Sequence, residues 1–154
     1  MRKWKYRSKE ITFLLNPAYC GKIIYSVIKK YNEKNENKNF PFSLCYLILP
    51  VMLYSKITDI SIPYKNLNKF INDNPEIFFD FAKKAKDLVD ITNETIEFLL
   101  SGKLIIMNED SSLVCNEKLV LKDDKLAKKA ESFGYLLSNA GSENIIYLMF
   151  GVKP

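Results

Sequence analysis

Histidine is absent from this 154-residue chain. Its absence removes Ser-His-Asp and Cys-His nucleophile arrangements and the common His-containing metal sites together. Cys20, Cys45 and Cys115 lie far apart in apolar stretches. An odd count without paired spacing fits small buried hydrophobes in a reducing compartment. The residues flanking Cys20 and Cys45 offer no base that would activate a thiol. The five glycines, at 21, 102, 134, 141 and 151, form no phosphate-cradling loop. Carboxylates remain as possible acids and bases, but Glu94, Glu97, Glu109 and Asp110 stand among polar neighbours, not in apolar settings that raise a carboxyl pKa. The expectation is a protein with no catalytic, metal or cofactor chemistry, in which these four carboxylates are candidates for meeting a basic protein partner.

The formal net charge is +5, yet only Arg2 and Arg7 among the 23 basic residues are Arg. Phosphate forks and base-edge contacts favour Arg over Lys, so the charge supports a modest attraction to polyanions and little more. Lys122, Lys125, Lys128 and Lys129 cluster near the start of the last long helix. They are candidates for touching a nucleic-acid backbone without sequence preference, although a solvated lysine face is the commoner use of such a cluster. No signal-peptide pattern opens the sequence. The most apolar stretch, Phe42 to Tyr54, is too short to span a bilayer and contains Pro50. A cytoplasmic protein without membrane contact is predicted.

These residues need elements to hold them. At this length a single domain buries roughly two-thirds of its unfolded surface without disulfides or metals. Residues 1–10 read as a basic arm, and 11–154 as one mainly helical domain. Asn16-Pro17 is a helix start, because Asn caps free N–H groups and Pro suits the first helical position. Cys20, Ile23, Ile24, Val27, Ile28 and Tyr31 then recur at helical spacing. The Asn, Glu and Lys run from Asn32 to Asn39 reads as a solvated loop. Phe42 to Tyr54 reads as a central helix, apolar all round and kinked or interrupted by Pro50. A short helix follows over Tyr64 to Asn72. Asn74-Pro75 repeats the start signal, ahead of a stripe of Ile77, Phe78, Phe81, Ala82, Ala85, Leu88 and Val89. Thr92 is positioned to cap a further helix with Ile96, Leu99 and Leu100 inward, ended by Gly102. Leu104–Met107 and Leu113–Leu121 read as a hairpin around the polar turn Asn108–Ser112. Asp124 to Ala140 is the last long helix, and Glu143 to Phe150 a short apolar one.

Helices followed by a two-stranded ribbon give the order of a winged helix-turn-helix over about 64–121, with Thr92–Ser101 as the recognition helix and Asn108–Ser112 as the wing tip. Its outward positions would be Asn93, Glu94, Glu97 and Ser101, and the wing tip adds Glu109 and Asp110. Carboxylates pressed toward phosphates are repelled, so this face suits a basic protein surface better than DNA. At the C-terminus, Ile145, Ile146, Leu148, Met149, Phe150 and Val152 are too apolar to dangle in water. Ile145, Ile146 and Met149 share a helical face and are expected to pack inward. Phe150 and Val152, beside Gly151, are the candidates for a subunit contact.

Several segments together resemble the middle component of bacterial three-component ABC systems, the family that includes the small subunit of Lamassu-type anti-phage defence. They are Asn16-Pro17-Ala18-Tyr19-Cys20-Gly21, Phe40-Pro41-Phe42 leading to Leu47-Ile48-Leu49-Pro50, Asn74-Pro75, Leu126-Ala127-Lys128-Lys129-Ala130 with Gly134, Ala140-Gly141, and Met149-Phe150-Gly151-Val152-Lys153-Pro154. No one motif is specific; their order along the whole chain carries the likeness. The resemblance implies a non-catalytic adaptor beside an SMC-like ABC ATPase that senses foreign DNA and a third subunit bearing the effector, often a nuclease. DNA would be reached through the complex. Where the family pattern ends in Trp-Gly-Val-Arg-Pro, this chain has Phe150 and Lys153. Phe keeps an apolar plug without the indole donor, and Lys lacks the bidentate pairing of Arg. Lys153 thereby joins Phe150 and Val152 as a candidate docking residue. The rival function is a winged-helix DNA-binding regulator.

Overall fold

The structure is a computed structural model that describes residues 16–35, 38–54, 66–116 and 125–151. The N-terminal arm, Lys122, Val152 and Lys153 lie outside the described residues, as does the side chain of Lys125. The chain is mainly helical, with one small antiparallel sheet.

Helix α1 (Pro17–Lys34) begins as its sequence dictates: the Asn16 side chain accepts a hydrogen bond from the Ala18 N–H at 2.7 Å, with Pro17 in the first turn. Asn16→Ala is expected to cost about 1 kcal/mol, read as a fall in the urea midpoint; an unchanged midpoint would show that the cap carries no stability. The helix does not stop at Tyr31 but runs three residues further, because Asn32 has work to do inside the fold. Its amide donates to the Leu113 carbonyl at 2.9 Å and accepts from the Phe40 N–H at 2.7 Å. One side chain thus ties α1 to two strands.

Strand β1 (Phe40–Pro41) leads into a 3-10 turn, Phe42–Leu44, and then helix α2 (Cys45–Tyr54). Helix α2 continues through Pro50, leaving the carbonyl of Tyr46 without its helical donor. Helix α3 (Leu67–Asp73) is capped by Asn66. The single stripe expected after Asn74-Pro75 breaks into α4 (Pro75–Phe78) and α5 (Phe81–Asp87), with Asp80 between them in the left-handed region at φ +51°. The break lets Ile77 and Phe81 both reach the core.

Helix α6 (Val89–Ser101) starts three residues before Thr92, which therefore lies inside the helix and does not cap it. At its other end the left-handed residue is Lys103 at φ +58°, while Gly102 stays right-handed. Leu104 N–H to Leu99 C=O (2.9 Å) and Lys103 N–H to Leu100 C=O (3.1 Å) close the helix around that residue.

Strands β2 (Ile105–Met107) and β3 (Ser112–Cys115) form the expected hairpin, pairing Ile105 with Cys115 and Met107 with Leu113. The sheet has a third strand, since Phe40 pairs with Leu113 and gives the order β1-β3-β2. Residues 64–121 therefore do not build the sheet by themselves. Helix α7 (Lys125–Ser138) packs more extensively on α1 than any other element does, and α6, α2 and β3 surround the rest of α1. Helix α1, not the apolar α2, is the hub. Helix α8 (Glu143–Met149) closes the fold, capped by Ser142.

Candidate functional site

Glu94 and Glu97 ride on α6, half-buried and exposed respectively, whereas Glu109 and Asp110 are exposed at the tip of the β2–β3 hairpin. No hydrogen bond or ion pair joins the two pairs. Ion pairs among the described residues include Lys30–Glu33 and Lys69–Asp73, and none of them involves Glu94, Glu97 or Glu109. Asp110 is engaged locally: it accepts from the Ser112 hydroxyl at 2.5 Å and the Ser112 N–H at 3.0 Å, which holds its carboxyl below the usual carboxylate range. That bond shapes the turn. Because α6 begins at Val89, Glu94 is its sixth residue and lies beyond the first turn, where the helix N-terminus favours an acidic side chain.

The outer face of α6 holds one residue that the sequence reading passed over. Phe98 is 45 % exposed. A Cβ placed on Gly21 of α1 would lie 3.6 Å from two atoms of the Phe98 ring, so the glycine leaves a flat seat beneath the aromatic. The period of Ile91, Ile96 and Leu99 marks the buried face of α6, and Phe98 falls at the margin of that face, where periodicity alone does not assign it.

Thr92 is 1 % exposed and its hydroxyl oxygen has no hydrogen-bond partner, although Thr95, one turn on, donates to the Ile91 carbonyl at 2.7 Å. Thr92→Val should therefore stabilise the protein by about 1 kcal/mol, by removing an unsatisfied polar group at nearly constant shape. A rise in the urea midpoint is the expected result; a fall would mean that the hydroxyl is bonded in solution.

Of the four lysines offered for a nucleic-acid backbone, Lys128 is exposed and Lys129 half-buried on α7. Lys129 is engaged in an interaction of its own.

The C-terminal helix corrects the expectation most sharply. Phe150 is 4 % exposed. Its ring stacks on Phe133 (6.4 Å between centroids, 12° between planes) and lies 5.3 Å from Phe78 and 5.1 Å from Phe81. Ile146 is fully buried, whereas Ile145 is 47 % and Leu148 74 % exposed. Of the face drawn from the sequence, Ile146 is inward and Met149 packs half-buried on the core, while Ile145 turns out; Tyr147 and Phe150 complete the inward face. Two further bonds hold α8 to the fold: Tyr147 donates its hydroxyl to the Ser43 carbonyl, and Ser43 donates to Glu143 at 2.5 Å. Phe150 is a core residue of this chain, so its ring is not available to a subunit.

Beside these bonds lies a half-open pocket of about 240 Å³, lined by Lys38, Phe42, Ser43, Asp110, Ser111 and Glu143 among others. Its two carboxylates already accept from Ser112 and Ser43, so neither is set up to move a proton. Burial pushes the thiols of Cys20 and Cys115 up to about 12 and raises that of Cys45 as well. At neutral pH all three are protonated. Among the described residues no group of His, Cys, Asp and Glu is arranged to hold a metal ion, and no helix is long and apolar enough to cross a membrane.

No curated protein and no solved structure matches the chain. The profile of the family described as ABC-three component (ABC-3C) system Middle Component 3 matches residues 4–154, nearly the whole sequence. A chain with quiet thiols, solvated carboxylates and a helical body closed by its own C-terminus belongs to the Middle Component 3 family of ABC-three component systems.

Proposed function

We propose that this protein is a non-catalytic adaptor that links an SMC-like ABC ATPase to an effector subunit, such as a nuclease, in an anti-phage defence complex of the Lamassu type. Family membership across residues 4–154 carries the reading. The chemistry of the chain supports it: there is no His, the thiols are held protonated by burial, and the free carboxylates are solvated. The test is co-expression of the chain with the other two components of its own system. We expect the three to co-purify, the purified chain to hydrolyse neither ATP nor DNA, and its deletion to abolish phage protection. Hydrolysis by the isolated chain, or failure to co-purify with either component, would overturn the adaptor.

A winged-helix regulator is the second reading, favoured by the sheet order β1-β3-β2 with α6 leading directly into the hairpin. Against it, α6 contains Asp90, Glu94 and Glu97 and no basic residue, a poor match for phosphates. Fluorescence anisotropy with duplex DNA separates the two. The adaptor reading expects weak, salt-sensitive binding that declines when Lys125, Lys128 and Lys129 are neutralised. Tight, sequence-selective binding at physiological salt would favour the regulator.

A further inference from the structure

We propose that the outer face of α6 is the docking surface for a basic segment of a companion component, with an arginine side chain of that segment lying flat on Phe98 beside Glu94, and Glu97 extending the acidic face on the far side of Glu94. The inference rests on the adaptor reading and gives the contact its chemistry.

Asp90, Glu94, Phe98 and Ser101 follow one another at steps of four, four and three residues, which places them along a single helical stripe, with Glu97 beside Glu94 on the side away from Phe98. The stripe is acidic in a chain of net charge +5. Among the described residues neither Glu94 nor Glu97 has an ion pair. Phe98 stands 45 % exposed at the C-terminal end of the acidic run, one turn beyond Glu94. The ring is not loose, since it rests on the Gly21 position of α1, with Leu99 close beside it. An exposed aromatic one turn from the Glu94 carboxylate is complementary to a guanidinium, which stacks on the ring face and pairs with a carboxylate in its plane. Such anchors carry a large share of binding energy in protein interfaces.

The test uses the full chain co-expressed with the two companion components of its own system, and reads retention of those components on the tagged chain. The wild type retains them, and Phe98→Ala lowers the affinity at least about tenfold. The double charge reversal Glu94→Lys with Glu97→Lys does the same. It leaves the core side chains in place, so it serves where Phe98→Ala fails to fold. Phe98→Tyr keeps the ring and restores retention, and raising the salt weakens the wild-type complex more than the double variant. A wild-type chain that retains neither component overturns the adaptor reading. A wild type that retains them, with folded Phe98→Ala and charge-reversed variants retaining them equally, overturns this inference alone. Self-association of the wild type that disappears in Phe98→Ala, with companion binding unchanged, would assign the face to a second copy and also overturn it.

Discussion

Gly134→Ala should lower the thermal midpoint by roughly 4–8 °C, the equivalent of a net loss of about 2 kcal/mol in a domain of this size. A Cβ on Gly134 would sit 2.5 Å from the backbone carbonyl oxygen of Val27 and 3.2 Å from Cβ of Lys30. The first contact is with backbone, so no side-chain rotation relieves it, and α7 must move away from α1. Overpacking of this kind costs about 1–3 kcal/mol and occasionally more, and here it falls on the most extensive helix–helix packing in the fold. The higher helix propensity of Ala returns about 1 kcal/mol, which is why the net figure is not larger. Ala at Gly21 is the internal control: its nearest contact is 3.3 Å from a leucine side-chain methyl that can yield. A melting curve in which Gly134→Ala is as stable as the wild type would mean that α1 and α7 do not approach so closely.

Phe150→Ala should destabilise the protein by about 3–5 kcal/mol, the range for truncating a buried aromatic. The ring is shared by three neighbours, Phe78, Phe81 and Phe133, contributed by α4, α5 and α7. Its loss opens a cavity where these elements meet, and α8 would remain held mainly through Ile146 and the bonds of Tyr147 and Glu143. Removing Phe150 to Pro154 is expected to do at least as much damage. Calorimetry or a urea titration reads the effect directly. An unchanged midpoint with loss of partner binding would return Phe150 to the surface, where its sequence position beside Gly151 suggested it lay.

This second prediction bears on how an adaptor can dock. An apolar C-terminus is drawn to burial, and two kinds of apolar surface can satisfy it: a partner's or the chain's own. The structure gives Phe150 the latter. The surfaces left for partners are then the exposed ones, and of these the outer face of α6 combines the aromatic Phe98 with the carboxylates of Glu94 and Glu97.

The sequence by itself determined those features that arise within a few residues of chain. The Asn16-Pro17 helix start, the inward stripe of α1, the hairpin around Asn108–Ser112 and the short α8 all follow from capping, periodicity and turn chemistry, which act locally. The family, too, was legible there, because its motifs are distributed in order along the whole chain. The exclusion of His-based chemistry needs only composition. Tertiary structure alone decided whatever depends on contacts between distant segments. Asn32 reads as loop until its amide is seen to bridge Leu113 and Phe40, and β1 is too short for any strand signal until β3 supplies its partner. Thr92 has the right chemistry for a cap and is overruled because the helix starts earlier, at Val89. Periodicity shows that Ile145, Ile146 and Met149 lie near one face, but it does not set the rotation of a seven-residue helix. The Phe133 and Ser43 contacts set it, turning Ile146 and Phe150 inward and Ile145 out. The same limit hid Phe98, since an aromatic on a helix looks like core until the seat beneath it, Gly21 of another helix, is brought alongside.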